Sequence, residues 1–140
     1  MQLVQDGSGV IVHYEVRTGN PNDATQLLSL VERTEERVGR RPTEVAADRG
    51  YYTAENVREL EQRGTPRVGI PKVGRLSAQE SRHQNKRWFR ALQRFRCGIE
   101  AGISMLKRKF SLGRVLARRT PGTAIWTGWA IFAYNLWQQR

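Results

Sequence analysis

Leu92, Phe95, Ile99, Leu106 and Phe110 fall within about 60° of one another when each residue advances a helical wheel by about 100°. A stripe of that length needs an apolar surface to lie on, so the chain is predicted to build one long helix packed by one face onto a core. On the same wheel Arg96, Glu100 and Lys107 form a row about 40° wide, displaced about 90° from the centre of the stripe. The row therefore runs along the border of the core. Two readings of it stand side by side. One is a solvated face with an Arg–Glu pair one turn apart, worth only about 0.3–0.5 kcal/mol. The other is a carboxylate leaning over a sheet edge between two cations that hold phosphate by charge-assisted hydrogen bonds.

Upstream of this helix the pattern alternates between strand and helix. Leu3 and Val4, a turn through Asp6-Gly7-Ser8-Gly9, and Val10, Val12, Tyr14 and Val16 on one side predict a β-hairpin. Asp23, with Gln26 at capping-box spacing, is read as the cap of a helix that runs to Gly39, after a loop from Thr18. Val45-Ala46-Ala47, closed by Asp48-Arg49-Gly50, has the pattern of a buried strand that ends in a tight turn. Thr53 caps a short helix ended by Gly64, and Pro66 to Pro71 reads as another strand, at an edge or with prolines at its ends. Lys72 to Lys86 has no apolar period and is predicted to be an exposed basic loop. Ser111 to Arg119 is basic and irregular. Thr120 and Pro121 then start a terminal helix, read as buried, whose Ile125, Trp129, Phe132 and Leu136 face the core. The order predicts an α/β chain with one mixed sheet, a single domain over 1–140. Its parts are 1–71 (sheet and short helices), 72–119 (basic loop, long helix, basic connector) and 120–140 (terminal helix).

Charge is divided unevenly along the chain. The 140 residues carry 24 basic and 13 acidic groups, a net +11, the footprint of a polyanion partner. Residues 1–71 hold 9 basic and 11 acidic groups, whereas residues 72–119 hold 14 basic and 2 acidic. The positive field belongs to the long-helix region. One cysteine, Cys97, cannot close an intrachain disulfide, no signal-peptide pattern opens the chain, and the apolar run Ala124 to Trp137 is shorter than the ~20 residues of a membrane span. A cytoplasmic protein with no membrane partner is expected.

Asp48 follows a strand of small residues, where a carboxylate points out of the sheet into the loop face that often carries function. Its bland role is an Asx-turn acceptor. With Glu100 it forms a plausible half-site for Mg²⁺ (or Mn²⁺), a hard ion that takes one or two carboxylates and fills its remaining positions with water and phosphate oxygens. Other candidates carry less. His13 and His83 lack metal-ligand spacing and are read as surface histidines, Cys97 as a packing residue, and Trp126, Trp129 and Trp137 as core. Trp88 and Phe89, set between Lys86-Arg87 and Arg90, are the better candidates for contact with DNA.

Val45-Ala46-Ala47-Asp48-Arg49-Gly50-Tyr51 resembles the segment holding the second acidic residue of insertion-sequence transposases with a DDE domain. Arg96, Glu100 and Lys107 match, with the same spacing, that family's signature around the third acidic residue. Gly19-Asn20-Pro21 before Asp23 resembles the loop after its strand hairpin, and the Trp-rich terminal helix its usual ending. The resemblance covers essentially the whole chain. It implies a ribonuclease-H-like fold and metal-dependent cleavage and joining of DNA, with transposon ends and target DNA as partners. Asp48 and Glu100 would then be catalytic metal ligands, and Arg96 and Lys107 would hold phosphate. Lys86, Arg87, Arg90, Arg94 and Trp88 would line the DNA path. Two departures stand out. Gln93 occupies the place of the signature's tyrosine, and the family's first aspartate belongs to a strand before the hairpin with which this chain begins. Asp6 reads as a turn residue and Asp23 as a cap. On this reading the ion site is weak or incomplete. The alternative is a catalytically inactive DNA-binding remnant or competitor of an intact transposase; self-association or an intact transposase is the expected protein partner. A small RNA-binding protein would explain the charge but not the placement of Asp48 with Arg96, Glu100 and Lys107.

Overall fold

The computed structural model describes residues 1–16, 22–113 and 120–139, with Thr120 by its backbone alone. The loop expected at Thr18–Pro21, the connector over 114–119 and the Thr120 side chain lie outside the described residues. The elements are β1 (Gln2–Gln5), β2 (Ile11–Glu15), α1 (Asp23–Val38), β3 (Glu44–Ala46), a single 3-10 turn (Arg49–Tyr51), α2 (Ala54–Gln62), β4 (Arg67–Gly69), α3 (Ala78–Gln84), α4 (Arg87–Lys109) and α5 (Thr120–Gln138). The chain is α/β. Its strands form two separate two-stranded sheets among the described residues, where one mixed sheet was expected. Each strand finds its partner locally, β1 antiparallel to β2 across a hairpin and β3 parallel to β4 through α2. The chain divides into two compact units, Pro21–Cys97 and Met1–Asn20 with Gly98–Arg140.

In the unit Pro21–Cys97, α1 starts at Asn22, whose side chain accepts from the Ala24 amide at 3.0 Å. The cap is thus Asn22 and not Asp23, which is already helical; Asn serves as well as Asp because either side-chain oxygen reaches the orphan first-turn amides. Gly39 ends the helix in the left-handed region, as its position predicts. Leu27 and Leu30 of α1, Leu60 of α2, and Val68 and Ile70 around β4 make a shared core. Parallel pairing sets Val45 opposite Val68 and Ala46 opposite Gly69. Thr53 caps α2 by accepting from the Asn56 amide at 3.0 Å. The segment expected to be a loop before α4 contains α3. A capping box, Ser77 with Glu80, supplies both ends of the hydrogen-bond exchange that starts a helix without any apolar period.

In the unit Met1–Asn20 with Gly98–Arg140, Ile11, Leu106, Leu112, Ala130, Ile131 and Tyr134 form the core. Asp6 makes the hairpin turn as expected, but its carboxylate folds back to accept from the Ser8 and Val10 amides at 3.0 and 3.1 Å instead of pointing to solvent. The expected alternation of β2 is displaced. Ile11 and His13 are the buried positions, while Val12 and Tyr14 are half-buried. The pairing of β1 with β2 is irregular in register between Val4 and Gln5. His13, expected on the surface, is 6% exposed and contacts Glu15 at 3.2 Å. The α5 helix presents Thr127, Ala130, Ile131 and Tyr134 to the core. The expected inward stripe Ile125, Trp129, Phe132 and Leu136 is exposed, as is Trp137. Both sides of this helix are apolar, so periodicity alone selects no inward face. Asn135 fixes the choice by accepting from the Ile11 amide and donating to the Ile11 carbonyl, each at 2.9 Å.

Candidate nucleic-acid and metal site

The site begins where β3 ends. Asp48 accepts from the Arg49 amide at 2.7 Å and caps the 3-10 turn, so its bland reading as a turn acceptor is realised. Its side chain nevertheless remains 63% exposed and open to a further partner. The turn is braced from below by Asn56, which sequence reasoning missed. This buried amide donates to the Ala24 carbonyl at 2.7 Å and to the Tyr51 carbonyl at 3.0 Å, tying α1 and α2 to the segment that carries Asp48. A polar residue beside Val57, four positions before Leu60 on the inward side of a short helix, is the signal that could have found it.

The first half of α4 is positioned by a close approach to β4. A Cβ on Gly69 would stand only 2.9 Å from Leu92 Cδ1, so the strand end needs glycine for the helix to pack at this distance. Gln93, where the resembled signature has tyrosine, donates to the Gly69 carbonyl at 2.6 Å and serves here as a brace between helix and strand. One turn further on, Arg96 brings Nη1 to 3.8 Å from Asp48 Oδ1. Two residues 48 positions apart in sequence are thereby paired, and the long distance leaves the ion pair without a tight hydrogen bond.

Lys86, Arg87, Arg90 and Arg94 are all exposed around the start of α4, where unpaired first-turn amides add to the positive potential. No acidic residue occupies that turn. Beside it a groove of about 480 Å³ is lined by Gln84, Asn85, Phe89, Arg90, Gln93 and Arg94. Guanidinium and amide donors converge there, chemistry suited to phosphate and base edges. Trp88 is half-buried, its ring edge-on to His83 at 5.4 Å and tilted against Phe89 at 5.5 Å. Phe89, expected to touch DNA, is buried, because the first turn of α4 already faces inward there. His83 belongs to this aromatic cluster, and Cys97, expected to be packed, is exposed.

Glu100 and Lys107 are exposed on the Gly98–Lys109 stretch of α4, in the other unit. Among the described residues no group of three or more His, Cys, Asp or Glu side chains could hold a metal ion, and no helix is long and apolar enough to cross a membrane.

Comparison with known families decides the reading. The family described as Transposase DDE domain matches residues 1–136. The chain belongs to this family. No curated protein matches it, and no solved structure does. Membership in the DDE transposases ties the chain to DNA transposition, to DNA as the polymer acted on, and to a family that typically uses a divalent metal. For a DDE transposase domain, the pairing of Asp48 with Arg96 joins two segments that resemble the family's signature.

Proposed function

We propose that residues 1–140 form part of a ribonuclease-H-like transposase domain that binds DNA and contributes Asp48 and Glu100 as two of three carboxylate ligands for Mg²⁺ or Mn²⁺. The observation that carries this reading is the approach of Arg96 to Asp48, 3.8 Å apart. It supports the reading by linking the second acidic segment to an arginine of the signature around the third. The donor set fits a hard ion: both ligands are exposed carboxylates, and cations on the same helix are at hand for the phosphate the ion would share. When bound, such ions stabilise the attacking and leaving oxygens of phosphodiester cleavage and strand transfer. In this reading Arg96 orients Asp48 and meets a phosphate oxygen. Lys107, about three turns beyond, holds a second phosphate as a point charge. Lys86, Arg87, Arg90 and Arg94, with the exposed edge of Trp88, guide the strand.

The roles of Asp6 and Asp23 favour a second element of the proposal. Asp6 is engaged by its own turn, and Asp23 lies in the first turn of α1 with its carboxylate beside Gly50. In this reading neither of them supplies the third carboxylate, and the chain acting alone is a DNA binder without cleavage, able to compete with or join an intact transposase. The test is DNA affinity with and without Mn²⁺, read by fluorescence anisotropy on a duplex oligonucleotide. Mn²⁺ should tighten binding, and Asp48→Asn and Glu100→Gln should each remove that gain while leaving metal-free binding intact. Equal affinity with and without Mn²⁺ in the native chain would overturn the assignment of the two ligands.

A further inference from the structure

The groove of about 480 Å³ beside the start of α4 is built from three kinds of side chain, all within the unit Pro21–Cys97. Pro71, Leu76 and Phe89 line it with apolar surface, and Ser81, Gln84 and Asn85, with Gln93 across from them in sequence, add a hydroxyl and three carboxamides. Arg90 and Arg94 complete it, and none of its lining residues is acidic. The volume lies in the range of about 300–1,000 Å³ typical of small-ligand sites. Arg41, Arg63 and Arg67 of the same unit are each held by a glutamate. Arg90 and Arg94 have no such partner among the described residues, so their charge is available to an anion in the groove. One side of the groove is held in place beforehand. The Ser77–Glu80 capping box starts α3, and Glu80 also takes the Lys72 ammonium at 2.6 Å, tying α3 to the residue that follows Pro71. A preformed groove loses little freedom when it is filled.

We infer that this groove binds one nucleoside phosphate, with the base over the apolar lining, its edge against the carboxamides, and the phosphate on Arg90 and Arg94. Each part of the lining excludes a simpler ligand. Inorganic phosphate would leave the apolar surface of Pro71 and Leu76 in water. A wholly apolar ligand would cover guanidinium and carboxamide groups without replacing their hydrogen bonds. A paired base offers only its edge, with both faces stacked in the duplex, and so cannot reach the apolar lining. Carboxamides donate and accept, so they meet the edge of an unpaired base whatever its pattern. The same chemistry is offered by a free nucleotide and by an unpaired nucleotide of a DNA strand. The site shares Arg90 and Arg94 with the proposed DNA path, but it rests on the groove and not on that path.

Isothermal titration calorimetry of the full chain with dAMP, inorganic phosphate and a short polyglutamate peptide tests it. Fluorescence anisotropy is run beside it on three duplexes: fully paired, with one unpaired nucleotide, and with an abasic residue in that unpaired place. The nucleotide should bind about tenfold or more tighter than phosphate or peptide, through the added contacts of its base. Gln84→Leu removes an amide at similar size, and Ser81→Phe fills the groove without changing its charge. Each should weaken dAMP binding about tenfold at an unchanged far-UV circular dichroism spectrum. Preference for the unpaired nucleotide over both other duplexes names the DNA strand as the source, and dAMP binding without that preference names the free nucleotide. Phosphate or peptide bound as tightly as dAMP would reduce the groove to a general anion site and overturn the inference, as would dAMP affinity unmoved by both variants. Duplex binding with neither dAMP binding nor the preference would overturn it while leaving the DNA path standing; dAMP binding without duplex binding would do the reverse.

Discussion

The Asn56 side-chain amide donates to the Tyr51 carbonyl at 3.0 Å and so fastens α2 to the turn that presents Asp48. Because the same amide also reaches the Ala24 carbonyl at 2.7 Å, one residue holds three segments. Replacing it by alanine removes two part-buried hydrogen bonds, and the expected loss is about 1–3 kcal/mol at ~0.5–1.5 kcal/mol each. Urea denaturation of Asn56→Ala should show this loss. Hydrogen exchange should show faster opening at Tyr51 and Tyr52 than at Leu30. A variant as stable as the parent would mean that water or another donor replaces the amide.

DNA binding should be tolerant of sequence and steep in salt. Condensed counterions leave the duplex as Lys86, Arg87, Arg90 and Arg94 neutralise phosphates, so log affinity falls with log salt by about 0.9 for each contact. The triple variant Lys86→Ala, Arg87→Ala, Arg90→Ala should lower that slope by up to about three such increments. An unchanged slope would move the DNA surface elsewhere on the chain.

Residues 1–140 alone should neither nick nor join DNA with Mg²⁺ or Mn²⁺. A two-ion clamp needs a ligand between the ions, and Asp6 already serves its own turn. A plasmid-nicking assay beside Glu100→Gln checks the claim, since the amide removes the charge while nearly keeping the shape. Cleavage by the parent that vanishes in the amide variant would reveal a third ligand within the chain or shared between chains.

The start of α3 should be acid-sensitive. Lys72 beside Glu80, Nζ to carboxylate at 2.6 Å, together with the Ser77 amide and hydroxyl, holds the Glu80 carboxyl down at about 2. A depressed carboxyl contributes stability above its unfolded value of roughly 4.3, and that contribution is lost as pH falls toward the folded value. Protection of the α3 amides should thus be level from neutral pH to about 5 and decline below about 4. Glu80→Gln should abolish this decline. The Lys72 ammonium, raised by the same pair, loses its share only in strong alkali.

The parts of the fold legible in the sequence were those where one face of an element is apolar and the other is not. Leu27 and Leu30 marked the buried face of α1, and Leu92 and Leu106 that of α4, because polar residues occupy the opposite sides. On α5 the rule had nothing to discriminate, and the choice fell to a polar residue, Asn135, whose partner Ile11 is 124 positions away. On β2 the strand alternates with the other parity, and the buried set is Ile11 and His13, whose polar member hides it from an apolar pattern. At the site, Asp48 and Arg96 were each legible as candidates, and the structure pairs them. Their proximity depends on Gly69 and Gln93, a backbone approach and a side-chain-to-backbone bond that leave no periodic trace.

The sheets of this chain have only two strands each, so every strand has one ladder edge unused by its partner among the described residues. Such edges template pairing with other chains, and nature commonly guards them with charge. Here the guard at the start of β3 and β4 is the pair Glu44 and Arg67, which neutralise each other at 2.6 Å and so leave the edge less protected than two like charges would. What keeps protein molecules apart is then the net +11 of the whole chain, a repulsion that reaches only about 8–10 Å at moderate ionic strength. Salt that would weaken the proposed DNA binding should therefore also let this protein's sheets find one another. Its colloidal lifetime should be longest in the dilute buffers, or with the bound polyanion, that keep the chains separated.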